Sequence, residues 1–338
     1  MKTLVCTKPG EFNYVNAEQP PLLPGHVIIK IRRIGICGTD LHAFEGTQPY
    51  FEYPRILGHE LAGEIVDVGD VSGFEVGETV TFIPYFSCGE CIACRTGKQN
   101  ACVNMKVCGV HQHGGMVEYY SVPSYALVHG EGLSLDALAL VEPLAIGAHA
   151  VRRAGVKKDE FVLVVGAGPI GLGTMEFVRA AGANVIALDT NTDRLRFCKE
   201  TLKAEHVINA LNDDVIEKLK AITKGDMPTV VMDATGNLKA INNAFRYMAH
   251  GARYILIGLQ KGDISFSHPE FHKRESTLMS SRNATREDFE YVISLIRKKE
   301  IDPTIFITHR VNFDQVKDEF EKWLNPEYGV IKAMVELA

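Results

Sequence analysis

The chain has 338 residues, 46% hydrophobic and 23% charged, with 36 basic against 42 acidic side chains and a net charge of −6. These proportions exclude disorder, collagen and coiled coil, and at about 150 residues per domain the length predicts two domains. The acidic balance, without a long run of either sign, argues against a nucleic-acid or anionic-membrane surface.

The chain begins Met1-Lys-Thr-Leu-Val-Cys6 and turns polar too soon for a signal-peptide core. The most apolar helix candidate, 137–151, is shorter than the roughly 20 residues of a membrane span and contains Glu142. A soluble, cytoplasmic protein is expected. In that reducing compartment eight cysteines serve as ligands or buried thiols, not disulfides.

Residues 1 to about 135 read as an all-β barrel or sandwich, with apolar stretches at 26–31 and 62–68 and Gly/Pro turns near 24–25, 69–70 and 76–77. Cys37-Gly-Thr39-Asp40-Leu-His42 and Gly58-His59-Glu60 fall in this region. Together with Glu142 they offer one soft, one borderline and one or two hard metal donors, an incomplete sphere with room for water or an alcohol. His59 and Glu60 would point apart on a regular strand, so Gly58 must turn the chain if both reach one ion; otherwise Glu60 alternates between ligand and outer partner. Cys88-x2-Cys91-x2-Cys94-x7-Cys102 places four thiolates on a short loop, the closed tetrahedral donor set of a structural zinc.

At 136–153 the pattern becomes helical, with Pro143 marking a kink or a new helix start. An apolar strand at 161–165 then leads into Gly166-Ala-Gly168-Pro169-Ile170-Gly171 and a helix to about 181. In that setting the glycines give a tight turn, close approach to a pyrophosphate and close helix packing, and the helix N-terminus holds the anion. Asp189 ends the next strand, where its carboxylate would accept the adenosine ribose hydroxyls and disfavour a 2′-phosphate; Arg194, a turn later, would hold the ribose beside it. The expected cofactor is therefore NAD. Strands at 229–232 and 253–257 continue a parallel, doubly wound sheet, with Thr235 and Gly258 at its edge as candidates for the nicotinamide half. Charged helices at 286–299 and 314–324 precede a last apolar strand, 332–337, which returns to the first domain.

These residues resemble, in the same order, the zinc-dependent medium-chain dehydrogenases of the alcohol and polyol dehydrogenase family. The resemblance implies an α/β protein in which a GroES-like β-barrel catalytic domain (1–148 and 285–338) is split around a Rossmann domain with a doubly wound parallel sheet (149–284). It also implies two zinc ions per subunit, one catalytic at Cys37, His59, Glu60 and Glu142 and one structural, and a homodimer or homotetramer. Glu142 stands where the alcohol dehydrogenases themselves use cysteine, which points to the polyol and threonine side of the family. The segments at 46–55, 109–115, 269–274 and 281–285 resemble the L-galactonate and L-gulonate 5-dehydrogenase branch.

That branch implies oxidation of a sugar acid at C5, to D-fructuronate or D-tagaturonate, by a zinc-held alkoxide and hydride transfer to NAD. Thr39 would accept the alcohol proton and pass it through the nicotinamide ribose to His42, and Arg55, Lys273 or Arg282 would meet the carboxylate. The alternatives are another polyol (sorbitol-like) or L-threonine dehydrogenase, or a catalytically silent zinc- and nucleotide-binding regulator.

Overall fold

A computed structural model describes residues 1–49 and 51–338, so Tyr50, in the segment 46–55, lies outside the described residues. The chain forms two compact units, Met1–Pro143 with Ala284–Ala338, and Leu144–Asn283. The first division falls inside the helix Val141–Ala154, at Pro143 rather than at 148. Pro143 occupies the first turn of that helix, where its missing N–H breaks no helical bond, so it marks a start rather than a kink.

In the first unit the strand His26–Gly35 is central to a seven-stranded sheet and pairs antiparallel with three strands, Glu60–Asp67, Tyr119–Pro123 and Lys332–Glu336. Its alternating Val27, Ile29 and Ile31 are fully buried and pack in one core with Leu61, Ile65, Val80, Phe82, Ala333 and Val335. Register then decides what meets at the strand end: Gly35 pairs with Glu60 on one side and Met334 on the other, so Cys37, Glu60 and Lys332 arrive at one end of the sheet. The last segment is anchored by Phe320, whose ring lies 4.9 Å from Phe12 and 5.2 Å from Phe44. It is not the single helix expected at 314–324 but a short helix, Val316–Glu319, flanked by 3-10 turns at Phe313–Gln315 and Phe320–Leu324. Phe320 and Trp323 are both buried, and residues three apart share a face in a 3-10 turn.

In the second unit six parallel strands run in the order His206–Asn209, Asn184–Asp189, Phe161–Val165, Val230–Asp233, Arg253–Leu256, Thr277–Ser280. The order reverses beside Phe161–Val165, and at such a switch point the strand ends open a crevice for a nucleotide. The two edge strands carry no strong sequence signal, being four residues long with polar residues at their ends.

Among the described residues no helix is long and apolar enough to cross a membrane.

Candidate active site

Cys37 ends the loop after Gly35 and caps the helix Gly38–Glu45. Asp40, 1% exposed, binds two segments together: its Oδ2 accepts the N–H of Cys37 at 3.0 Å and its Oδ1 that of Gly58 at 3.1 Å. Gly58 has φ +91°, a left-handed conformation that other residues rarely adopt, and strand geometry begins only at Glu60. The turn lets adjacent His59 and Glu60 converge. Donor atoms of Cys37, His59 and Glu60 all lie within 4.8 Å of one another. Gly35 leaves the space that Glu60 fills, since a Cβ there would stand 2.2 Å from Glu60 Oε2.

His59 Nδ1 is buried without a hydrogen-bond partner, 3.7 Å from Asp40 Oδ1. Burial opposes its charge, yet Asp40 and Cys37 hold its pKa well above the ordinary value. Nδ1 thus faces the Asp40 carboxylate, the outer partner that orients a ligating imidazole, and the clustered thiol, imidazole and carboxylate of Cys37, His59 and Glu60 are a donor set that fits zinc.

Glu142 stands outside the 4.8 Å group: its Oε1 accepts the hydroxyl of buried Tyr85. Burial pushes its carboxyl up to about 7, against the pull of His59. Both oxygens of Glu60 accept from Lys332 Nζ, at 2.6 and 2.7 Å, and the ammonium's third bond goes to the carbonyl of Ile36 at 3.0 Å.

Thr39 and His42 are three residues apart on the helix Gly38–Glu45 and so share a face. Thr39 is half-buried; His42 is 61% exposed, its Nδ1 3.2 Å from Thr47 Oγ1 and 3.3 Å from Glu45 Oε2.

The four-cysteine loop forms a second group. Sγ–Sγ distances are 3.4 Å for Cys91–Cys94, 3.9 Å for Cys91–Cys102 and 3.5 Å for Cys88–Cys102. A tetrahedron with metal–sulfur bonds of about 2.3 Å has edges of about 3.8 Å, so these four sulfurs fit a zinc. The N–H groups of Cys88 and Asn104 each point at Cys102 Sγ at 3.3 Å, and backbone N–H groups at Cys94 and Val103 pull the Cys91 thiol down to about 6. All eight cysteines are free; burial pushes Cys6 up to about 11 and Cys108 and Cys198 up to about 12, which suits inert thiols.

In the second unit Pro169 is the first residue of the helix Pro169–Ala180, capped by Gly168, with Ile170 in the first turn. Gly166 has φ +101° and Gly171 packs on it: a Cβ at 171 would sit 1.8 Å from Gly166 O. Asp189 stitches this turn to its own loop, accepting Ala167 N at 2.6 Å and Asn191 N at 2.8 Å. A carboxylate has roughly four acceptor positions, so it keeps capacity for two ribose hydroxyls. The Arg194 guanidinium reaches Gly168, with Nη1 3.7 Å from where a Cβ would stand. Buried Asp233 gathers the sheet edge, accepting the N–H and hydroxyl of Thr235 at 3.1 and 2.8 Å, while its carbonyl accepts Gly258 N at 3.0 Å.

Residues 23–131 match the model of the alcohol dehydrogenase GroES-like domain, and residues 169–298 that of the zinc-binding dehydrogenases. The chain belongs to the zinc-binding alcohol dehydrogenase family. It is 42% identical to L-galactonate-5-dehydrogenase of Escherichia coli K12, across 99% of this chain and 98% of that protein. It is 31% identical to sorbitol dehydrogenase of Halalkalibacterium halodurans, across 93% and 94%. The crystal structure of alcohol dehydrogenase RspB from Escherichia coli CFT073, complexed with NADH, superposes with a TM-score of 0.92 at 31% identity over 100% of this chain and 99% of that one.

Three residues of this dehydrogenase's site carry no role in the sequence reading: Asp40, Tyr85 and Lys332. Lys332 left a trace, a lysine opening a strand whose next three residues are all apolar. A charge in such a run signals a buried partner. Of the carboxylate candidates, Lys273 is exposed on the helix His268–Lys273, which enters the amino end of the strand Thr277–Ser280, away from the glycine turn at the carboxyl ends. Arg282 is exposed just past the carboxyl end of that strand, and Arg55 belongs to the first unit.

Proposed function

We propose that this dehydrogenase oxidises the C5 hydroxyl of a hexonic acid, L-galactonate or L-gulonate, to a ketohexonate, with NAD as hydride acceptor. Full-length similarity to L-galactonate-5-dehydrogenase carries the substrate reading. Cys37, His59 and Glu60 would hold the catalytic zinc, with Glu142 behind them, and Cys88, Cys91, Cys94 and Cys102 the structural one. The catalytic ion, when bound, supplies Lewis acidity that brings an alcohol's pKa toward neutrality. The chain's own part is to place the hydroxyl and manage its proton. Thr39 Oγ1 would accept that proton while giving up its own hydroxyl proton toward His42, on the same helical face and exposed, which would release it to water. Lys332 holds the Glu60 carboxylate in place through both of its oxygens.

The test is NADH absorbance with L-galactonate, L-gulonate, sorbitol and L-threonine on protein of measured zinc content. A hexonate is expected to reduce NAD; reduction with sorbitol or L-threonine alone would replace this reading.

In the second unit the glycine turn at Gly166, Gly168 and Gly171 would carry the NAD pyrophosphate, with Arg194 over it and Asp189 on the ribose. Asp189→Ala is expected to raise the KM for NAD about tenfold, as one charged hydrogen-bonding group is lost, and to narrow the preference over NADP. An equal loss with both cofactors would mean that Asp189 serves only the turn.

A further inference from the structure

The backbone of Arg55 is fixed by a reciprocal pair with Cys6, 2.9 Å in each direction. Beyond it, Ile56 N donates to His113 Nδ1 at 3.2 Å, and the carbonyls of Ile56 and Leu57 accept Gly114 N and Met116 N. The segment is thus clamped up to Gly58 and His59. Four residue steps separate Arg55 from His59, at most about 14 Å of extended chain.

Its side chain is not balanced in the same way. The side chain is 13% exposed, and among the described residues its Nε, closed to solvent, has no hydrogen-bond partner. Among the described residues its ion-pair contact is Glu52 Oε2 at 3.8 Å, on a side chain 88% exposed, where water screens the attraction. His113 does not compensate: burial and the Arg55 charge together push its pKa down, toward the neutral ring. A largely buried side chain with an idle Nε–H and a screened counter-charge has room for an anion. A carboxylate suits it, because a guanidinium offers parallel N–H bonds in a fork that matches two carboxylate oxygens.

We propose that Arg55 recognises the carboxylate of the hexonate and so selects sugar acids over uncharged substrates; this rests on the hexonate reading above. The clamped backbone then sets a fixed offset between the carboxylate and the metal-side His59, which determines which hydroxyl of the sugar chain reaches the reacting position.

The experiment compares L-galactonate with its uncharged carboxamide in wild type, Arg55→Met and Arg55→Lys. Wild type is expected to favour the hexonate in kcat/KM by about 10- to 100-fold, the range of one charged hydrogen-bonded contact, and Arg55→Met to lose that preference through KM with kcat little changed. Arg55→Lys, keeping the charge without the fork, should recover part of it. If Arg55→Met does not fold, Arg55→Gln is read by the same criteria. Equal losses on both compounds, or an unchanged hexonate KM, overturn the Arg55 assignment while leaving the hexonate reading intact. Wild type that reduces NAD with no hexonate overturns both.

Discussion

Lys332→Met is expected to lower folding stability by about 3–5 kcal/mol, because it leaves a buried carboxylate without its counter-charge. Lys332 is 3% exposed and Glu60 0%, and the ammonium spends all three donors on Glu60 Oε1, Glu60 Oε2 and the Ile36 carbonyl. Burial works against the charge on Lys332, but Glu60 outweighs it and raises the lysine's pKa. A raised pKa means the contribution is complete at neutral pH and is lost only as pH climbs through that raised value. The double variant Lys332→Met/Glu60→Leu should regain most of the loss, since removing both members of a buried pair is often neutral. The metal site adds a second criterion. In Lys332→Met alone, zinc would be the strongest positive charge left beside Glu60, so the drop in urea midpoint caused by the substitution should be larger after chelation than in the zinc-replete protein. A loss below about 1 kcal/mol, the scale of an exposed pair, would show that the Lys332–Glu60 pair does not carry this stability.

That pair also shows where sequence reading stops. The four-cysteine loop and the glycine turn were legible because each is local: the donors lie within fifteen residues, or between one strand and the helix it opens. The need for Gly58 to turn the chain was legible for the same reason, since it follows from two adjacent ligands. Lys332 and Glu60 are 272 residues apart, and Tyr85 and Glu142 are 57 apart. Only the register of His26–Gly35 against Glu60–Asp67 and Lys332–Glu336 brings the first pair together, and no periodicity in the chain encodes it. Arg194 illustrates a smaller gap. Its place a turn after Asp189 was visible, but not that its guanidinium would also approach Gly168.

Removing one thiol from each cysteine group should separate two roles that one metal assay would blur. Cys37→Ser is expected to cost one zinc per subunit and about 1,000-fold in kcat/KM, the several kcal/mol that a Lewis acid contributes, with little change in folding midpoint. The fold around Cys37 has supports that need no metal: Asp40 fixes the Cys37 and Gly58 backbones, and Lys332 fixes Glu60. Cys94→Ser should do the reverse in kind. The loop from Cys88 to Cys102 holds only a four-residue helix, Ile92–Arg95, and one 3-10 turn, Gln99–Ala101, too little structure to order it alone. Metal binding to such a loop is itself folding free energy, so losing the ion should expose the loop to protease and lower the unfolding midpoint. Metal analysis, limited proteolysis and kcat/KM on the same two preparations decide the matter. If Cys94→Ser retains two zinc ions and a protected loop, or if Cys37→Ser retains full turnover, the corresponding group is not a zinc site and the division of labour between the two clusters fails.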